Sequence, residues 1–585
     1  MKKIGIGYEN YKRIIDDKCY YVDKTMLIHD IVAKGGMVTL FTRPRRFGKT
    51  LALSMIRTFF ELEYDRNGNV VDNHRYFEGM KIMDAGDEIL NMLGQYPVIN
   101  MSLKSAKQGD FYNAFTMLRK EIIGEYRRHD YLLESDVIEE DEKQSFREIT
   151  GGELEWEKRS RAYTDEKEYD KAFRREVGKY AVTLKTLSEL LEKHHGKKVI
   201  ILIDEYDVPL ENAWFRGFYD EMIDFIRSLF ESALKTNDAL ERAVVTGCLR
   251  ISRESIFTGL NNLEVNSIRT GSFGEYFGFT EEETEEMLSE YGLKDNVQIV
   301  RDWYDGYLFG DTEVYNPWSV TKYVKAHVDA PNSFAEPYWA NTSSNSIIKE
   351  LIENADDEMK RELDTLVSGG TIEKRIHEDI TYADIRESED NLWNFLYFTG
   401  YMKKVSERQE NDDIYLTMCV PNAEINSIYR NQISLWFDRV VKNTGLSGLH
   451  EAILNKDTEK ISDFVSELLA RSISVFDSSE SFYHGYFLSL LNGVPHYYAQ
   501  SNREAGDGRP DIILYPNRPK DPAYIFELKV RKKFNEMDDG LQEAFAQIRD
   551  KKYEEGILDE GYAGVVSYGL CFCKKSCIAL LFEKN

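Results

Sequence analysis

The chain of 585 residues is poor in several residue types, and each shortage excludes a class of protein. Its 6 Cys are too few for the disulfide framework of a secreted protein. Its 12 Pro and 38 Gly exclude collagen-like and Pro-rich stalks. No apolar run approaches the roughly 20 residues of a membrane-spanning helix, and no apolar signal segment follows Lys2 and Lys3. We therefore expect a cytoplasmic protein.

Basic residues are also in deficit. Lys and Arg total 75 against 102 Asp and Glu, which gives a formal charge of −27. This charge excludes a protein that coats nucleic acid with its whole surface, because such affinity comes from neutralising phosphates. A small basic cleft on an acidic body remains compatible with it. The hydrophobic fraction of 42% excludes a disordered chain, and the length predicts about three or four domains.

Three apolar runs, at residues 37–42, 198–205 and 242–247, predict strands separated by helices. This pattern indicates an α/β fold over residues 1–280, with a charged helical insertion near 105–190. Residues 281–450 are predicted to be mainly helical. A helix followed by a hairpin near 392–418 is compatible with a winged helix or with a connecting bundle. Residues 451–585 are predicted to form a compact α/β domain.

The first candidate site is Gly48-Lys49-Thr50, which lies between a predicted strand and a predicted helix. A phosphate-binding loop needs this context, because the N–H groups of the helix terminus face the phosphates. Lys49 would reach the β- and γ-phosphates and Thr50 would coordinate Mg²⁺. The motif is weak by itself, because Arg43 stands where the general pattern has a glycine.

A second motif strengthens the first. Asp204 and Glu205 end an apolar strand, where Asp204 would hold Mg²⁺ through water and Glu205 would orient the attacking water. The alternative is a buried strand with a capping acid. Thr246 would sense the γ-phosphate, whereas Arg250 and Arg253 would be arginine fingers or surface ion pairs. Three further arginines add positive charge beside the loop and would neutralise phosphate or pair with the acidic body: Arg43, Arg45 and Arg46.

The second candidate site combines Asp511 with Glu527 and Lys529. Positions i and i+2 of a strand share a face, so Glu527 and Lys529 project together, and a hairpin would bring Asp511 beside them. Two carboxylates suit a divalent metal that activates water, and the lysine would orient the water or stabilise charge. Glu480 would face the same metal. The alternatives are an interstrand ion pair and an exposed helix acid.

Basic runs at 531–533 and 549–552 flank this second site and predict contact with DNA, unless they form a solvated face. Gln547 and Tyr553 are further candidates for contact with a nucleic-acid backbone. Cys571, Cys573 and Cys577 are too few for a structural zinc site and are predicted to be core or reactive thiols.

The segments that carry these motifs occur in the same order as in a known family. Together they resemble the bacterial AAA-ATPase-like proteins that carry a C-terminal nuclease domain of the PD-(D/E)XK superfamily. That family replaces the first loop glycine in the same way as Arg43. The segments are 21–25, 43–50, 204–205, 258–262, 303–307, 315–319, 508–511 and 527–529.

The resemblance implies a P-loop AAA-like ATPase domain at 1–280, a lid and winged-helix-like region at 281–450, and a restriction-endonuclease-like domain at 451–585. It implies ATP and Mg²⁺ as cofactors. The residues implied to bind the nucleotide are Arg45, Arg46, Phe47, Gly48, Lys49, Thr50 and Asp204, with Thr50 and Asp204 on the metal and Glu205 catalytic. The residues implied for the nuclease site are Glu480, Asp511 and Glu527 as metal ligands, with Lys529 as a fourth catalytic group.

Three functions remain open at this point. The leading one is an ATP-binding and ATP-hydrolysing protein with a Mg²⁺-dependent DNA nuclease domain, in which the ATP state regulates engagement of nucleic acid. The second is a signalling or scaffold ATPase whose C-terminal domain binds nucleic acid or a protein without cleavage. The third treats bound ATP as structural only. AAA-type sites often need a neighbouring subunit's arginine, so a homo-oligomer is a further expectation.

Overall fold

The computed structural model describes most of the chain. The described residues are 1–65, 67–160, 163–249, 256–257, 261–339, 348–349, 351–352, 357–377, 388–443, 446–471, 480–491, 493–501 and 508–582. Arg250, Arg253 and residues 258–260 of a family-like segment lie outside them. So does the side chain of Glu480.

The chain forms two compact units. The first comprises Met1–Ser343 and Glu373–Ile425, and the second comprises Ser344–Ile372 and Asn426–Asn585. The boundaries predicted at residues 280 and 450 stay predictions.

The first unit is built on a five-stranded parallel sheet with the order β2-β3-β4-β1-β5. β3 (Val199–Asp204) is buried along its whole length, as its unbroken apolar run requires in a sheet covered on both faces. β4 lies between β1 and β3, and because the strands are parallel, the carboxyl ends of all three lie side by side at the same end of the sheet. The other strands are β1 (Val38–Thr42), β2 (Val98–Ser102), β4 (Leu240–Gly247) and β5 (Leu263–Asn266).

Helices precede, connect and follow these strands, and many carry the expected terminal signals. Asp110 caps α5 by accepting a hydrogen bond from the Asn113 N–H, and Thr280 and Glu283 form a capping box on α11. The helices are α1 (Tyr11–Asp16), α2 (Met26–Lys34), α3 (Lys49–Phe60), α4 (Asp87–Leu90), α5 (Phe111–Arg128), α6 (Glu140–Ser160), α7 (Glu166–Tyr180), α8 (Thr183–His195), α9 (Val208–Arg216), α10 (Tyr219–Phe230), α11 (Glu281–Glu290), α12 (Val297–Tyr304) and α13 (Pro317–Asp329).

The charged insertion between β2 and β3 folds into helices with a core of their own. Trp156 on α6 is only 2% exposed, and its ring lies 5.8 Å from that of Phe173 on α7. The two helices are therefore more than a solvated surface, because a run rich in Glu and Lys also carries an apolar face.

The remainder of the first unit contains a short hairpin and a small sheet. The hairpin joins β6 (Tyr307–Phe309) to β7 (Thr312–Val314), and the sheet has the order β8-β10-β9. α15 precedes the long antiparallel pair of that sheet, which confirms the predicted helix followed by a hairpin. The elements are α15 (Glu389–Phe398), β8 (Ile372–Ile376), β9 (Lys403–Glu410) and β10 (Asp413–Cys419), while α14 (Asp357–Val367) belongs to the second unit.

The second unit contains a mixed sheet with the order β11-β12-β13-β14-β15. Its central strand β13 is antiparallel to β12 and parallel to β14. One face packs on helices α17 to α19 through a large apolar core, and the other face packs on α20 and α21. The strands are β11 (Tyr497–Ser501), β12 (Ile512–Pro516), β13 (Ala523–Val530), β14 (Val565–Cys573) and β15 (Ser576–Leu581). The helices are α16 (Ala423–Asn443), α17 (Ser447–Leu454), α18 (Thr458–Arg471), α19 (Glu480–Leu490), α20 (Met537–Asp550) and α21 (Tyr553–Asp559).

The predicted fold class is confirmed: a parallel N-terminal sheet, a mainly helical middle and a C-terminal α/β sheet domain. Within the described ranges, no helix combines the length and the hydropathy needed to cross a bilayer.

Candidate functional sites

The segment between β1 and α3 has the backbone of a tight anion-binding loop. Gly48 immediately precedes α3 and has a φ of 82°. A Cβ added there would meet no atom within 4 Å, so the left-handed backbone, and not crowding, requires glycine. Arg46 is also left-handed, with a φ of 72°. The loop therefore turns sharply into the helix N-terminus, where free N–H groups attract phosphate.

Lys49 begins α3 and is held against the loop. Its ammonium donates hydrogen bonds to the carbonyl oxygens of Arg43 and Pro44, both at 2.8 Å. The Cys248 Sγ lies 3.7 Å from the same nitrogen. Lys49 is only 6% exposed, so its charge is fixed at the loop rather than free in solvent.

Thr50 and Asp204 meet although they follow strands that are not neighbours. The Thr50 hydroxyl donates to Asp204 Oδ2 at 2.6 Å, and the Thr246 hydroxyl donates to Oδ1 at 2.5 Å. Thr246 can take part because its strand, β4, lies between β1 and β3. A hydroxyl and a carboxylate so placed are suitable ligands for Mg²⁺.

Glu205 lies at the end of β3 in a strained conformation. Its φ is 53°, which is uncommon for a residue with a side chain and is often found at functional sites. Burial and the adjacent charge of Asp204 raise its pKa. The side chain lines the same cavity as Lys49 and Thr50.

The arginines of the loop have separate environments. Arg43 is fully buried and donates to the carbonyl oxygens of Thr42 at 3.0 Å and Asn266 at 2.7 Å. Its predicted role of neutralising phosphate is therefore wrong, because its side chain ties β1 to β5 under the loop. Arg45 is paired with Glu211, and the Arg46 guanidinium lies 4.4 Å from the centre of the Trp318 ring.

The ring of Phe47 packs into the interior beneath the loop. The ring is 1% exposed and packs against Tyr307 at 4.8 Å and Phe309 at 5.1 Å. The phosphate loop is thereby fixed to the β6–β7 hairpin.

A cavity of about 400 Å³ opens beside the loop, which is within the usual range of small-ligand sites. Its lining combines polar and apolar side chains, a mixture that suits the phosphates and the base of a nucleotide. The polar lining includes Arg45, Arg46, Gly48, Lys49, Thr50, Lys104, Lys107 and Glu205, and the apolar lining includes Ile4, Ile6, Tyr20, Met55, Phe279 and Trp318.

The second unit brings Asp511, Glu527 and Lys529 together. Antiparallel pairing of Ile512 with Phe526 places Asp511 beside Glu527. Asp511 Oδ2 accepts a hydrogen bond from the Leu528 N–H at 2.7 Å, and the Lys529 ammonium lies 3.1 Å from Glu527 Oε1.

Glu527 is in an unfavourable environment without a cation. It is 0% exposed, and within the described part of the chain its Oε2 has no hydrogen-bond partner. Burial and the neighbouring charge of Asp511 raise its pKa to about 7, although Lys529 opposes this shift. A buried, unpaired carboxylate oxygen beside a second carboxylate fits a divalent cation.

The described residues do not supply a complete ligand set for such a cation, since among them no three His, Cys, Asp or Glu side chains are arranged so that they could hold a metal ion. The third predicted ligand, Glu480, is the first residue of α19. Its side chain lies outside the described residues.

Sequence reasoning missed how Lys529 is held. The Lys529 ammonium donates to Gln547 Oε1 at 2.9 Å, Gln547 Nε2 donates to the Tyr553 hydroxyl at 3.3 Å, and Tyr553 donates to the Arg509 carbonyl at 3.1 Å. Gln547 and Tyr553 therefore orient the lysine, and Tyr553, only 1% exposed, is not a contact for a nucleic-acid backbone.

His484 was also missed. Its Nε2 lies 2.8 Å from the Asp511 carbonyl oxygen and 3.1 Å from the Ser501 hydroxyl. The signal in the sequence is its spacing of four residues from Glu480, which places both positions on one face of α19. Cys571, Cys573 and Cys577 are buried, which agrees with the prediction of core thiols.

Comparisons with known proteins find a separate family match for each of the two regions that carry the candidate sites. Residues 5–257 match the model of a family described as predicted AAA-ATPase, and residues 478–580 match that of the PD-(D/E)XK nuclease superfamily. The resemblance predicted from the sequence is thus confirmed for both regions.

Two individual proteins are similar to this chain. The "Uncharacterized protein in vnfD 5'region" of Azotobacter chroococcum mcd 1 is 25% identical over 577 residues, which cover 96% of this chain and 94% of that protein. The Walker-type ATPase of Pyrococcus abyssi has 13% identity and a TM-score of 0.33, over 70% of this chain and 94% of that one. A TM-score this low does not establish a common fold.

Proposed function

We propose that the first unit binds and hydrolyses ATP with Mg²⁺, that the second unit hydrolyses phosphodiester bonds of DNA with Mg²⁺, and that the ATP state regulates engagement of nucleic acid. The observation that carries the proposal is the convergence of Asp511, Glu527 and Lys529 in the second unit. It is supported by the hydroxyl–carboxylate contacts of Thr50 and Thr246 with Asp204 in the first.

At the nuclease site, Asp511 and Glu527 would hold the metal together with Glu480. A bound divalent ion lowers the pKa of its water and offsets charge on the phosphate. Lys529 stands beside the carboxylates on the same face of β13, so its ammonium orients a water molecule and opposes the negative charge that develops. Gln547 keeps the ammonium in this position.

At the nucleotide site, the N–H groups of the loop and Lys49 bind the β- and γ-phosphates. Thr50 and Asp204 would hold Mg²⁺, which offsets charge on the transferred phosphoryl group. Glu205, with a raised pKa and a side chain in the cavity, accepts a hydrogen bond from the attacking water. Arg45 and Arg46 add positive charge at the cavity wall.

The charge of the chain supports an enzyme whose engagement of DNA is regulated. With a formal charge of −27, the body repels DNA, so engagement depends on a local site and is weakened easily by salt. A regulated enzyme fits this charge better than a protein that coats DNA. We further propose a homo-oligomer in the ATP-bound state, because AAA-type sites often take an arginine from a neighbouring subunit; light scattering with and without ATP tests it.

The test is a cleavage assay on the full chain with Mg²⁺ or Mn²⁺, linear, circular and single-stranded DNA, RNA, and ATP or a non-hydrolysable analogue. We expect metal-dependent cleavage that disappears in Asp511→Ala and Glu527→Ala. We also expect a dependence on ATP that disappears in Lys49→Ala. Asp559→Asn, at the exposed end of α21, is the matched control and should cleave normally.

If no DNA or RNA is cut by the folded protein, the nuclease proposal is wrong. Nucleic-acid or protein binding without cleavage would then favour a signalling or scaffold ATPase. Tight ATP binding without turnover, unchanged by nucleic acid, would indicate a structural nucleotide.

A further inference from the structure

A cluster of lysines lies at the carboxyl end of β13 in the second unit. Lys532, Lys533 and Phe534 follow this strand, and the turn between β14 and β15 places Lys574 and Lys575 beside them, because β13 and β14 are parallel and end together. The Arg531 N–H donates to the Phe572 carbonyl at 2.9 Å, which extends this pairing to the last residues. All five side chains line one surface depression, which we call the lysine groove.

The groove concentrates positive charge on an acidic protein. In the described part of the chain, Lys533 has an acidic partner, Glu536 at 3.8 Å, and no ion pair joins Lys532, Lys574 or Lys575 to an acid. Four lysines in one depression, on a chain of formal charge −27, create a local positive potential that attracts a polyanion.

Lys574 occupies a backbone position that favours glycine. Cys573 pairs with Ser576, so Lys574 and Lys575 form a two-residue turn, and Lys574 has a φ of 52°. The first position of such a turn is usually glycine when its φ is positive. A lysine there adds backbone strain that a glycine would relieve. The Tyr483 hydroxyl holds the Lys574 carbonyl at 2.8 Å, so the turn is fixed.

Phe534 indicates which kind of polyanion the lysine groove binds. Its side chain is 66% exposed, and it has no group that hydrogen-bonds phosphate or the edge of a base. An aromatic face among lysines is suited to stacking on a nucleobase. In a duplex the faces of the bases are covered by their neighbours, whereas an unpaired base has a free face.

The groove is close to the acidic site along the same strand. Lys532 follows Glu527 by five residues, so at about 3.3 Å per residue the two positions are at most about 17 Å apart. A strand of nucleic acid held in the groove would reach Asp511 and Glu527 within a few nucleotides.

We propose that the lysine groove binds an unpaired stretch of nucleic acid, with its phosphates on the lysines and one base stacked on Phe534. The unpaired stretch leads the adjoining phosphodiester to the acidic site. This last step rests on the proposed nuclease function, whereas binding in the groove does not.

The test measures binding by the full chain to fluorescein-labelled oligothymidylate and to a duplex of the same length, in EDTA so that metal-dependent cleavage is absent. Phe534→Ala should weaken oligothymidylate binding by about 5- to 100-fold and leave duplex binding nearly unchanged. Lys574→Gly, which suits the turn and so preserves folding, should weaken binding of both probes. For the single strand, the negative slope of log affinity against log salt should become shallower by about 0.7, because one phosphate contact is lost.

Two matched controls lie at the opposite end of the sheet. Tyr498→Ala removes an aromatic ring that is 47% exposed, and Lys520→Gly removes an exposed lysine from the loop between β12 and β13. Both variants should bind oligothymidylate as the wild type does.

The inference is overturned if Phe534→Ala and Lys574→Gly both bind oligothymidylate like the wild type, or if Phe534→Ala weakens duplex binding equally. It is also overturned if polyglutamate binds as tightly and is lost in the same variants, since the groove would then dock an acidic protein. The protein could also cleave nothing in Mg²⁺ while both variants lose oligothymidylate binding. This outcome would support binding in the lysine groove and contradict only the nuclease proposal. Metal-dependent cleavage with unchanged binding in both variants would contradict only the groove.

Discussion

The two candidate sites differ in how their central carboxylates, Asp204 and Glu527, are hydrogen-bonded. In the first unit, both oxygens of Asp204 accept hydrogen bonds from threonine hydroxyls, and Lys49 is held by two carbonyl oxygens. In the second unit, Glu527 has a buried oxygen with no hydrogen-bond partner among the described residues, and its pKa is raised by burial and by Asp511. We therefore expect the fold itself to stabilise the charges of Asp204 and Lys49, and a bound cation to stabilise the proposed acidic site.

The largest expected effect separates the chemistry of the two sites. Asp511→Asn and Glu527→Gln should each lower the rate of DNA cleavage by about a hundredfold or more, because each removes a proposed metal ligand. ATP turnover without DNA should stay within about twofold, because the mutated residues belong to the other unit. Parallel cleavage and phosphate-release assays check this, and a matched loss of both activities would mean that the sites are not independent.

The reverse change tests the nucleotide site. Lys49→Ala should weaken ATP binding by about 10- to 100-fold, because a buried charge-assisted contact with phosphate is lost. Binding of a fluorescent ATP analogue measures this, and Lys34→Ala, an exposed lysine at the end of α2, is the control. Equal affinity in Lys49→Ala and wild type would exclude the loop as the phosphate site.

The difference in hydrogen bonding of the two carboxylates also predicts that mutations at the two sites change stability in opposite directions. Thr246→Val should destabilise the first unit by about 1–3 kcal/mol, because one oxygen of Asp204 loses its donor. Glu527→Gln should stabilise the second unit at pH 8 without metal, by up to about 3 kcal/mol. Hydrogen exchange of the amides in β4 and in β13 measures the stability of the first and the second unit separately.

The pH dependence of this stabilisation has a definite sign. The native pKa of Glu527 is about 7 against an ordinary value of 4.5, so the folded protein binds more protons than the unfolded chain between these pH values. The wild-type second unit should therefore lose stability as pH rises from about 4.5 to 7. Glu527→Gln should lack this loss, and an equal pH dependence in both proteins would show that Glu527 is not the titrating group.

The smallest expected effect concerns the position of Lys529. Gln547→Leu removes the acceptor at 2.9 Å and should lower kcat for cleavage about tenfold with little change in KM. Gln542→Leu, on the exposed face of the same helix, is the control. A higher KM with a normal kcat would instead indicate that Gln547 contacts the substrate.

Much of both sites could be predicted from sequence because the motifs are local. Gly48, Lys49 and Thr50 are consecutive, and Glu527 and Lys529 are two positions apart on one strand, so elementary strand and helix geometry places them. The buried position of Arg43 could not be predicted, since its acceptors belong partly to β5, more than 200 residues away. The contact of Lys529 with Gln547 likewise depends on how α20 packs on the sheet. Periodicity predicts α20 but not which side chain faces the lysine.

The most direct test of the contrast between the sites is a Mn²⁺ titration of the nucleotide-free full chain, followed by electron paramagnetic resonance. We expect wild-type protein to bind Mn²⁺ at a site that Asp511→Asn abolishes and Thr246→Val leaves intact, because the acidic site needs a cation and the Asp204 site is already satisfied by hydrogen bonds. Mn²⁺ binding that survives in Asp511→Asn, or that is lost in Thr246→Val, would contradict this account.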